Sequence, residues 1–577
     1  MKVKLAITAG FCMGVRRAME IALAEANKGD GPFYTFGPLI HNKQVLELLE
    51  SKSVIAVDNI DQLNEGTLLI RAHGIPPEQR KKLKDSNLRI LDATCPRVAR
   101  VQAIIRYNTN KGYTPVIVGD KDHAEVVGLM GYGKGRAHVI NSKAEVENLP
   151  ETEKLFVVAQ TTQNEHSYQE IVEIIKKRNP QTIIFNTICE ATHERQQEVR
   201  ALADTVDGMV VVGGYNSGNT HRLVEISKES GIPTFHIETE KELDREKLSA
   251  MNVAGITAGA STPNWMIKKV VKELESIRSR RENFFGRWLR KTVKSMLLSS
   301  GLVALGAFSL SYASAVLSGT TPKLIYPLLA FLYIYAMHVL NRFLDKGAST
   351  YNDPEKAAFY RKNRVFLVLT GIVSAIIALI LSYLLGTKIY LLMAGLCILG
   401  IIYSIPLVPM SLRHLWRYSK IKDIPGSKGL SEAFAWAVVI ALLPLLGKDP
   451  IKWPSTIITF YLVFSMAYVR TALFDILQVQ GDMIVGKETL PIILGENRAL
   501  FLLKGIILSA CLLLIIAPIF NLVTYFSFFL LVCFILLSVS LMSHEKGRIH
   551  SEPHTEYLVE ASFILAGLLG LLWQGLS

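Results

Sequence analysis

The stretch LRILDATC, residues 88–95, is an apolar strand pattern that ends in a cysteine. The chain repeats this arrangement as KLAITAGFC at residues 4–12 and as TIIFNTIC at residues 182–189. A zinc knuckle needs closely paired cysteines, so the wide spacing of Cys12, Cys95 and Cys189 excludes one. The spacing favours three similar units that each bring one thiolate to a common centre. The alternative is three inert thiols, because free cysteine is often simply buried.

A centre of three thiolates has a defined chemical use. Three protein thiolates on a cluster of four irons leave one iron open to substrate, and catalytic metal sites need such an open position. The N-terminal sequence MKVKLAITAGF lacks the long apolar core of a secretory signal and is typical of a first strand. Free thiols without a signal peptide fit a reducing cytosol.

The composition changes near residue 280. Residues 1–277 alternate apolar strands with charged helices, residues 278–296 form a basic linker, and residues 297–577 are dominated by long apolar runs. The net charge of +13 could indicate nucleic acid, but the basic residues gather in the linker and in one set of membrane loops. Positive-inside topology explains them, so we expect a lipid bilayer and no nucleic acid as partner.

In the first half, apolar runs end repeatedly in polar or glycine-containing turns. Continuous apolar strands separated by helices indicate parallel sheets covered on both faces. Side chains just beyond the carboxyl ends of such strands line the binding crevice. Each such residue alone could be an ordinary turn or helix-cap residue, but the repetition favours a site. The predicted set is His41, His73, His123, Thr161, Thr162, Asn216, Ser217, Asn219 and Ser261.

Nine short motifs in order resemble the LytB family of 4-hydroxy-3-methylbut-2-enyl diphosphate reductases over residues 1–277. The motifs are GFCMGV, GPLIHN, RAHGI, DATCP, HAEVVG, QTT, NTICEAT, NSGN and TAGAST. The resemblance implies an α/β trefoil of three units and a 4Fe-4S cluster on Cys12, Cys95 and Cys189. It also implies reductive dehydroxylation of (E)-4-hydroxy-3-methylbut-2-enyl diphosphate to isopentenyl and dimethylallyl diphosphates. This is the last step of the non-mevalonate isoprenoid route, with an electron donor such as ferredoxin or flavodoxin.

The chemistry assigns roles to the strand-end residues. Hydroxide leaves poorly, so a proton donor must lie near that oxygen, and Glu125 is the best candidate. Thr161 or Thr162 could complete the relay, and the resemblance implies Thr161. A diphosphate needs several hydrogen-bond donors, which we expect from the set His41, His73, His123, Thr161, Thr162, Ser217, Gly218, Asn219 and Ser261.

Two positions depart from the family pattern. Ala124 replaces the proline of a His-Pro-Glu motif, which keeps both functional side chains. Gly218 replaces the second of two serines, which removes one hydroxyl near the diphosphate but keeps a backbone N–H. We expect weaker substrate binding from the second change and unchanged chemistry.

The second half is predicted to be an all-α, multi-pass membrane domain of nine helices. Arg470, near the end of the sixth, needs a partner because a charge inside a membrane is costly. Basic residues cluster on one side, which places the linker and the first half in the cytoplasm of an inner-membrane protein. The candidate spans are residues 297–317, 325–343, 365–385, 389–407, 430–446, 456–477, 500–518, 522–542 and 557–573.

Two polar clusters lie at the predicted cytoplasmic ends of the second and sixth spans. The first contains Asn341 and Asp345, and the second contains Asp475, Gln478 and Asp482. Helical spacing of three to four residues puts each set on one face, and such oxygen ligands suit Mg²⁺ that bridges a diphosphate.

These clusters and spans resemble the UbiA family of intramembrane prenyltransferases over residues 295–577. The resemblance implies that Asn341, Asp345, Asp475 and Asp482 hold Mg²⁺ and a prenyl diphosphate, whose prenyl group passes to a lipophilic acceptor. Lys420, Lys422 and Lys428 could contact phosphate or could serve only as positive-inside charge. Arg342, Ser349 and Gln478 stand where the family usually has acids, which weakens Mg²⁺ binding.

Two alternatives remain for the chain as a whole. One is the same reductase carried on a catalytically silent membrane anchor. The other is a membrane-bound iron–sulfur electron carrier, which gives no reason for a diphosphate-binding donor set.

Overall fold

The chain forms two compact units, Met1–Glu282 and Asn283–Ser577. Their boundary falls within the basic segment that the sequence predicts as a linker. The structure is a computed structural model that describes residues 1–29, 31–61, 63–150, 154–277, 284–344, 349–404, 421, 424, 426–446, 452–487, 489–545 and 552–576.

The first unit contains three sheets of four strands, and all described strands pair in parallel. The first sheet has, in spatial order, β1 (Lys2–Leu5), β12 (Val253–Ala258), β10 (Gly208–Val212) and β11 (Thr234–Ile237). The second has β3 (Val54–Val57), β2 (Phe33–Phe36), β4 (Thr67–Ile70) and β5 (Arg89–Asp92). The third has β7 (His138–Ile140), β6 (Thr114–Val118), β8 (Leu155–Ala159) and β9 (Ile183–Ile184).

The three sheets share one strand order. Counted along the chain, the second and third sheets both have the order 2-1-3-4. The first sheet has the same order if counting starts at β10 and ends with β1. The N-terminal strand therefore completes the sheet that the last three strands build. The expected parallel α/β units are confirmed, and their arrangement as a trefoil stays a prediction.

Continuous apolar sequence explains the central strands. LFVVA in β8 and GMVVV in β10 are buried along their whole length. Strands covered on both faces need such runs. The helices that accompany the sheets are α1 (Met13–Lys28), α2 (Lys43–Glu50), α3 (Pro77–Lys84), α4 (Pro96–Asn110), α5 (Ala124–Gly131), α6 (Glu165–Arg178), α7 (Glu190–Ala203), α8 (Gly218–Glu229), α9 (Arg245–Ser249) and α10 (Asn264–Ser276).

The second unit is helical throughout its described residues. Its helices are α11 (Phe284–Leu298), α12 (Gly301–Leu317), α13 (Ile325–Leu344), α14 (Ser349–Asn352), α15 (Pro354–Lys362), α16 (Arg364–Leu385), α17 (Thr387–Ser404), α18 (Ser427–Ala437), α19 (Trp453–Leu477), α20 (Val479–Val485), α21 (Leu490–Leu494), α22 (Glu496–Ile519), α23 (Ser527–Glu545) and α24 (Glu552–Leu576). Short π-helical and 3₁₀ turns continue α18 as far as Leu445.

Seven helices in the described part of this unit are long and apolar enough to cross a membrane. They correspond to the third to ninth predicted spans, so the second unit is a multi-pass membrane domain. The first predicted span is a pair of helices, Lys291–Leu298 and Gly301–Leu317, bent by 81°. The second, α13, has the length of a span, but His338, Asn341 and Arg342 reduce its hydropathy. The count of nine therefore stays a prediction.

Candidate active sites

Each of the three cysteines occupies the residue directly before a helix. Cys12 precedes α1, Cys95 precedes α4 and Cys189 precedes α7, each with a non-helical backbone. All three are free thiols with partial exposure. Each thiol therefore lies at the N-terminus of a helix.

The cysteines follow equivalent strands of the three sheets. β1, β5 and β9 are each the edge strand next to the third strand of the shared order. One hydrogen bond then ties each cysteine to the loop after the neighbouring strand. The backbone N–H groups of Cys12, Cys95 and Cys189 donate to the carbonyl oxygens of Ala260, Ala72 and Thr161 at 3.3, 2.9 and 2.9 Å.

The three thiols form one centre. Burial raises the pKa of the Cys95 thiol, and the neighbouring Cys12 and Cys189 thiols raise it further. Gly14, in the first turn of α1, packs against Cys95: a Cβ atom there would lie 2.7 Å from Cys95 Sγ. The arrangement of three converging thiols at three helix N-termini fits a 4Fe-4S cluster with three protein ligands.

Three histidines from two sheets meet beside this centre. The ring centroids of His41, His73 and His123 lie 5.1 to 5.6 Å apart. Burial lowers the pKa of all three, that of His73 strongly and that of His123 to about 4. The nearby Arg71 contributes to each shift, and neighbouring histidines contribute to those of His73 and His123. The free site therefore holds neutral imidazoles near pH 7. His41 Nε2 and His73 Nδ1 are buried without a hydrogen-bond partner among the described residues, as a site for a polar ligand requires.

Glu125 and Thr161 form a buried pair. Glu125 Oε1 accepts a hydrogen bond from the Thr161 backbone N–H, and Oε2 accepts one from Thr161 Oγ1, both at 2.7 Å. Burial raises the pKa of Glu125, although these hydrogen bonds act in the opposite direction. A carboxyl group that keeps its proton at higher pH suits a proton donor. Thr162 instead accepts a hydrogen bond from Gln160 Nε2 at 2.9 Å, so of the two candidate threonines Thr161 is the one paired with Glu125.

The remaining predicted residues lie at the ends of β10 and β12. Ser217 precedes α8, and its hydroxyl accepts from Ser261 Oγ at 3.4 Å, while Ser261 Oγ also lies 3.3 Å from the His41 carbonyl oxygen. Asn219 Nδ2 is buried without a partner among the described residues. A Cβ atom on Gly218 would lie 3.6 Å from the His123 ring. The structure thus brings these residues together with the histidines, whereas Asn216 is exposed.

Two arginines, the half-buried Arg71 and the buried Arg195, were not predicted from the sequence. Arg71 lies close enough to His41 and His73 to lower the pKa of both, and its Nε atom has no partner among the described residues. Arg195 is 4% exposed, donates to the Ala258 carbonyl oxygen at 3.3 Å and interacts with Cys12. Arg71 precedes His73 by two residues, and Arg195 follows Cys189 by six on the same helix. Their closeness in sequence to His73 and Cys189 was the signal that could have identified these arginines as site residues.

In the membrane unit, the second predicted cluster is buried and paired. Asp475 Oδ1 accepts from Lys428 Nζ at 2.6 Å, and Asp482 Oδ1 accepts from Asn352 Nδ2 at 2.8 Å. Lys428 interacts with both aspartates. Asn341 Oδ1 accepts from Ser404 Oγ at 3.2 Å. Two carboxylates with amide oxygens nearby are a ligand set that fits Mg²⁺.

Three predicted residues of the membrane half, Asp345, Lys420 and Lys422, lie outside the described residues. The sequence predicted either phosphate contact or positive-inside charge for Lys428. In the structure it is the ion-pair partner of Asp475. Asn352 was not predicted. Its contact with Asp482 depends on Gly481, because a Cβ atom there would overlap Asn352 Oδ1 at 1.8 Å.

The predicted need of Arg470 for a partner is confirmed. Its Nε atom donates to Glu560 Oε1 at 2.8 Å, and Nη1 donates to Glu432 Oε1 at 3.0 Å. The guanidinium also lies over the Phe474 ring, 5.0 Å from its centroid.

Fold and sites together define a parallel α/β protein with a three-thiol centre, fused to a multi-pass membrane domain. A model of the LytB protein family matches residues 3–275. The 4-hydroxy-3-methylbut-2-enyl diphosphate reductase of Geotalea daltonii is 45% identical over 277 residues, which are 48% of this chain and 98% of that protein. The chain therefore belongs to the LytB family through its first half.

The chain is also similar to solved structures. One, of (E)-4-hydroxy-3-methyl-but-2-enyl diphosphate reductase, is 40% identical with a TM-score of 0.39 and covers 48% of this chain and 100% of its own. The other, a UbiA homolog from Archaeoglobus fulgidus bound to GPP and Mg²⁺, is 18% identical with a TM-score of 0.35. It covers 48% of this chain and 99% of its own.

Replacing Gly14 by alanine should remove the metal centre without unfolding the unit. The new methyl group would overlap Cys95 Sγ, so we expect iron and sulfide per chain to fall several-fold after anaerobic purification. Gly128→Ala is the matched control, because the nearest atom to a Cβ at this helical glycine is 3.6 Å away. Full iron content in Gly14→Ala with unchanged circular dichroism would contradict the proposed packing.

Proposed function

We propose that residues 1–277 catalyse the reductive dehydroxylation of (E)-4-hydroxy-3-methylbut-2-enyl diphosphate to isopentenyl and dimethylallyl diphosphates. The observation that carries the proposal is the set of three equivalent hydrogen bonds described above. Each joins a cysteine to a loop that also holds a candidate substrate residue: Ser261, His73 or Thr161. The thiol centre and the ligand-binding side chains are therefore parts of one site. Relatives that this chain covers almost completely carry the name of this activity.

The residues of the chain account for binding and protonation. Cys12, Cys95 and Cys189 would hold a 4Fe-4S cluster, which would relay electrons and supply Lewis acidity. The three neutral histidines, Ser217, Asn219 and Ser261 offer donors to the diphosphate, and the negative charge of the diphosphate favours protonation of the imidazoles. The buried Glu125 lends its proton to the departing hydroxyl, and Thr161 fixes the orientation of the carboxyl group.

Dehydroxylation takes up two electrons and two protons. The C–O bond at the substrate's allylic alcohol breaks, and the oxygen leaves as water after it takes a proton from Glu125. Two electrons enter from an external donor of the ferredoxin or flavodoxin type. A second proton adds to the allylic carbon skeleton, at one end or the other, which explains two isomeric products.

Glu125→Gln should bind iron normally and lose turnover. Because it removes the proton donor, we expect the rate with a strong reductant to fall at least about 100-fold. In the wild type, the rate should fall as pH rises through the raised pKa of Glu125, since only the protonated form donates. Glu25→Gln is the control, because Glu25 is a buried glutamate that pairs with Arg89 outside the site. Undiminished turnover by iron-loaded Glu125→Gln would exclude the assignment.

Gly218→Ser should improve substrate binding. The structure leaves ordinary contact distances around a Cβ at this position, and the nearest atoms belong to His123 and Asp120. One added hydrogen bond to the diphosphate is worth about 1 kcal/mol, so we expect KM to fall about fivefold with kcat unchanged. A higher KM would show that residue 218 does not face the diphosphate.

For residues 297–577 we propose prenyl transfer from a prenyl diphosphate to a lipophilic acceptor. The specific support is the pair of buried aspartates, Asp475 and Asp482, with Lys428 close to both. Together with Asn341 and Asp345, they would hold Mg²⁺ and the diphosphate, and Mg²⁺ would stabilise the negative charge of the leaving group. A silent membrane anchor would have no use for buried carboxylates, which cost stability inside a membrane.

Asp475→Asn and Asp482→Asn test this second activity. Each removes a charged Mg²⁺ ligand, so we expect Mg²⁺-dependent binding of a labelled long-chain prenyl diphosphate to weaken at least about tenfold. Glu355→Gln is the control, because that carboxylate pairs with Lys294 at 3.0 Å outside the cluster. If both asparagine variants bind and transfer like the wild type, the membrane domain is an anchor.

The distribution of basic residues also supports a proposal about the location of the protein in the cell. Basic residues of the linker and of one set of loops would lie on the cytoplasmic side of the inner membrane, with the reductase unit in the cytoplasm. The electron-carrier alternative is not favoured, because it leaves the histidines, Glu125 and the serines without a role.

A further inference from the structure

Arg71 lies beside the three histidines, and the reaction proposed above gives it no role. It directly follows β4 and precedes His73 by two residues. Its guanidinium packs against Gly37, which directly follows the neighbouring strand β2 and precedes His41 by four residues. Arg71 therefore contacts one of the two histidine-bearing loops of this sheet and belongs to the other.

The contact with Gly37 depends on the absence of a side chain there. The φ of Gly37 is +67°, in the left-handed region that favours glycine. A Cβ atom at this position would lie 2.5 Å from Arg71 Nη1 and 3.2 Å from Cζ. The loop after β2 thus leaves room for a guanidinium at the end of the sheet.

The guanidinium is half-buried and incompletely paired. Its Nε atom is buried without a hydrogen-bond partner among the described residues. Burial lowers the pKa of Arg71, while the exposed Asp58 acts in the opposite direction. A buried donor without an acceptor costs stability, so it indicates an acceptor that arrives with a ligand.

The charge of Arg71 acts on more than its own sheet. It lowers the pKa of His41 and His73, and also that of His123. His123 comes from the loop after β6, in the third sheet. The positive charge therefore lies near the space that the three imidazole rings surround.

The diphosphate of the substrate needs a positive charge in this space. It carries several negative charges, but the histidines of the free site are neutral near pH 7 and the hydroxyl and amide groups are always neutral. Two other arginines near the site are already paired. Arg222 lies 2.9 Å from Asp120 and 3.2 Å from Glu225, and Arg195 donates to the Ala258 carbonyl oxygen.

We propose that Arg71 binds the diphosphate group of the substrate and supplies the positive charge that the histidines lack. A guanidinium presents paired N–H donors that match phosphate oxygens, and it stays charged at every pH at which the protein is folded. The inference rests on the reductive dehydroxylation proposed above and adds a binding residue for its substrate.

The test measures the binding of inorganic diphosphate to the full chain, purified anaerobically in detergent. Calorimetry in Mg²⁺-free buffer keeps the proposed Mg²⁺ site of the membrane unit out of the measurement. Arg71→Met keeps the apolar stem and removes the charge, so we expect Kd to rise at least about tenfold. KM for the allylic diphosphate should rise by a similar factor, with kcat changed less than about twofold.

Two further variants separate binding from folding. Arg71→Lys keeps the charge but loses the paired donors, so we expect Kd to rise only about threefold. Arg89→Met is the control, because Arg89 is the first residue of β5, at the other end of the same sheet, and pairs with Glu25 at 2.6 Å. If Arg71→Met does not fold, the Kd of Arg71→Lys decides, and a wild-type value contradicts the proposal.

The pH dependence distinguishes a missing charge from a loosened structure. Without Arg71 the pKa values of the three histidines rise, so they gain a proton at higher pH than in the wild type and replace part of the lost charge. Asp120 and Arg222 also act on His123, but they are the same in both proteins. The ratio of Kd in Arg71→Met to Kd in the wild type should therefore shrink between about pH 8 and about pH 6.

Two outcomes overturn the inference. They are a wild-type Kd in folded Arg71→Met and a Kd ratio that stays constant with pH, which a structural defect would produce. Failure of the wild type to consume the allylic diphosphate with a strong reductant is a different result. It overturns the proposed reaction, whereas the binding of inorganic diphosphate is measured without turnover.

Discussion

The parallel pairing of β1 with β12 is the interaction on which the first unit depends. It aligns Lys2 with Val253 and Leu5 with Ile256, and so brings the two ends of the unit together. The amino group of Met1 then donates to the Ile277 carbonyl oxygen. Because β1 is held there, Cys12 reaches the loop after β12 and bonds to Ala260. The other two cysteines do not depend on such a long-range pairing, because β5 and β9 come after the other strands of their own sheets in the sequence.

Desolvation is the common factor in both halves of the chain. In the first unit it keeps three histidines neutral and favours the protonated form of Glu125, so the site is prepared for an anionic substrate that has to receive a proton. In the membrane unit it makes unpaired charge costly, which is why Arg470 and Asp475 are found with partners. Polar atoms that remain unpaired in such surroundings are therefore informative about ligands.

The sequence was most informative where one rule controls many residues. Strands of a parallel sheet end on the same edge, so the order of strands and turns is sufficient to group His41 with His73, whereas Ser261 follows a strand of another sheet. The sequence was less informative about the hydrogen-bond and ion-pair partners of individual side chains. The amino-acid sequence does not distinguish Thr161 from Thr162 as the partner of Glu125, because this depends on which hydroxyl faces Glu125 and which faces Gln160. Asn352 and the partners of Arg470 were missed or unnamed for the same reason: their contacts join distant segments.

The position of β1 also has a consequence for biosynthesis. Cys12 is made about 240 residues before β12, the strand that holds it in place. During that interval the thiol of Cys12 has no fixed neighbours, whereas the second and third sheets can already assemble. A group that is held by all three thiols can therefore bind only after β12 has been made.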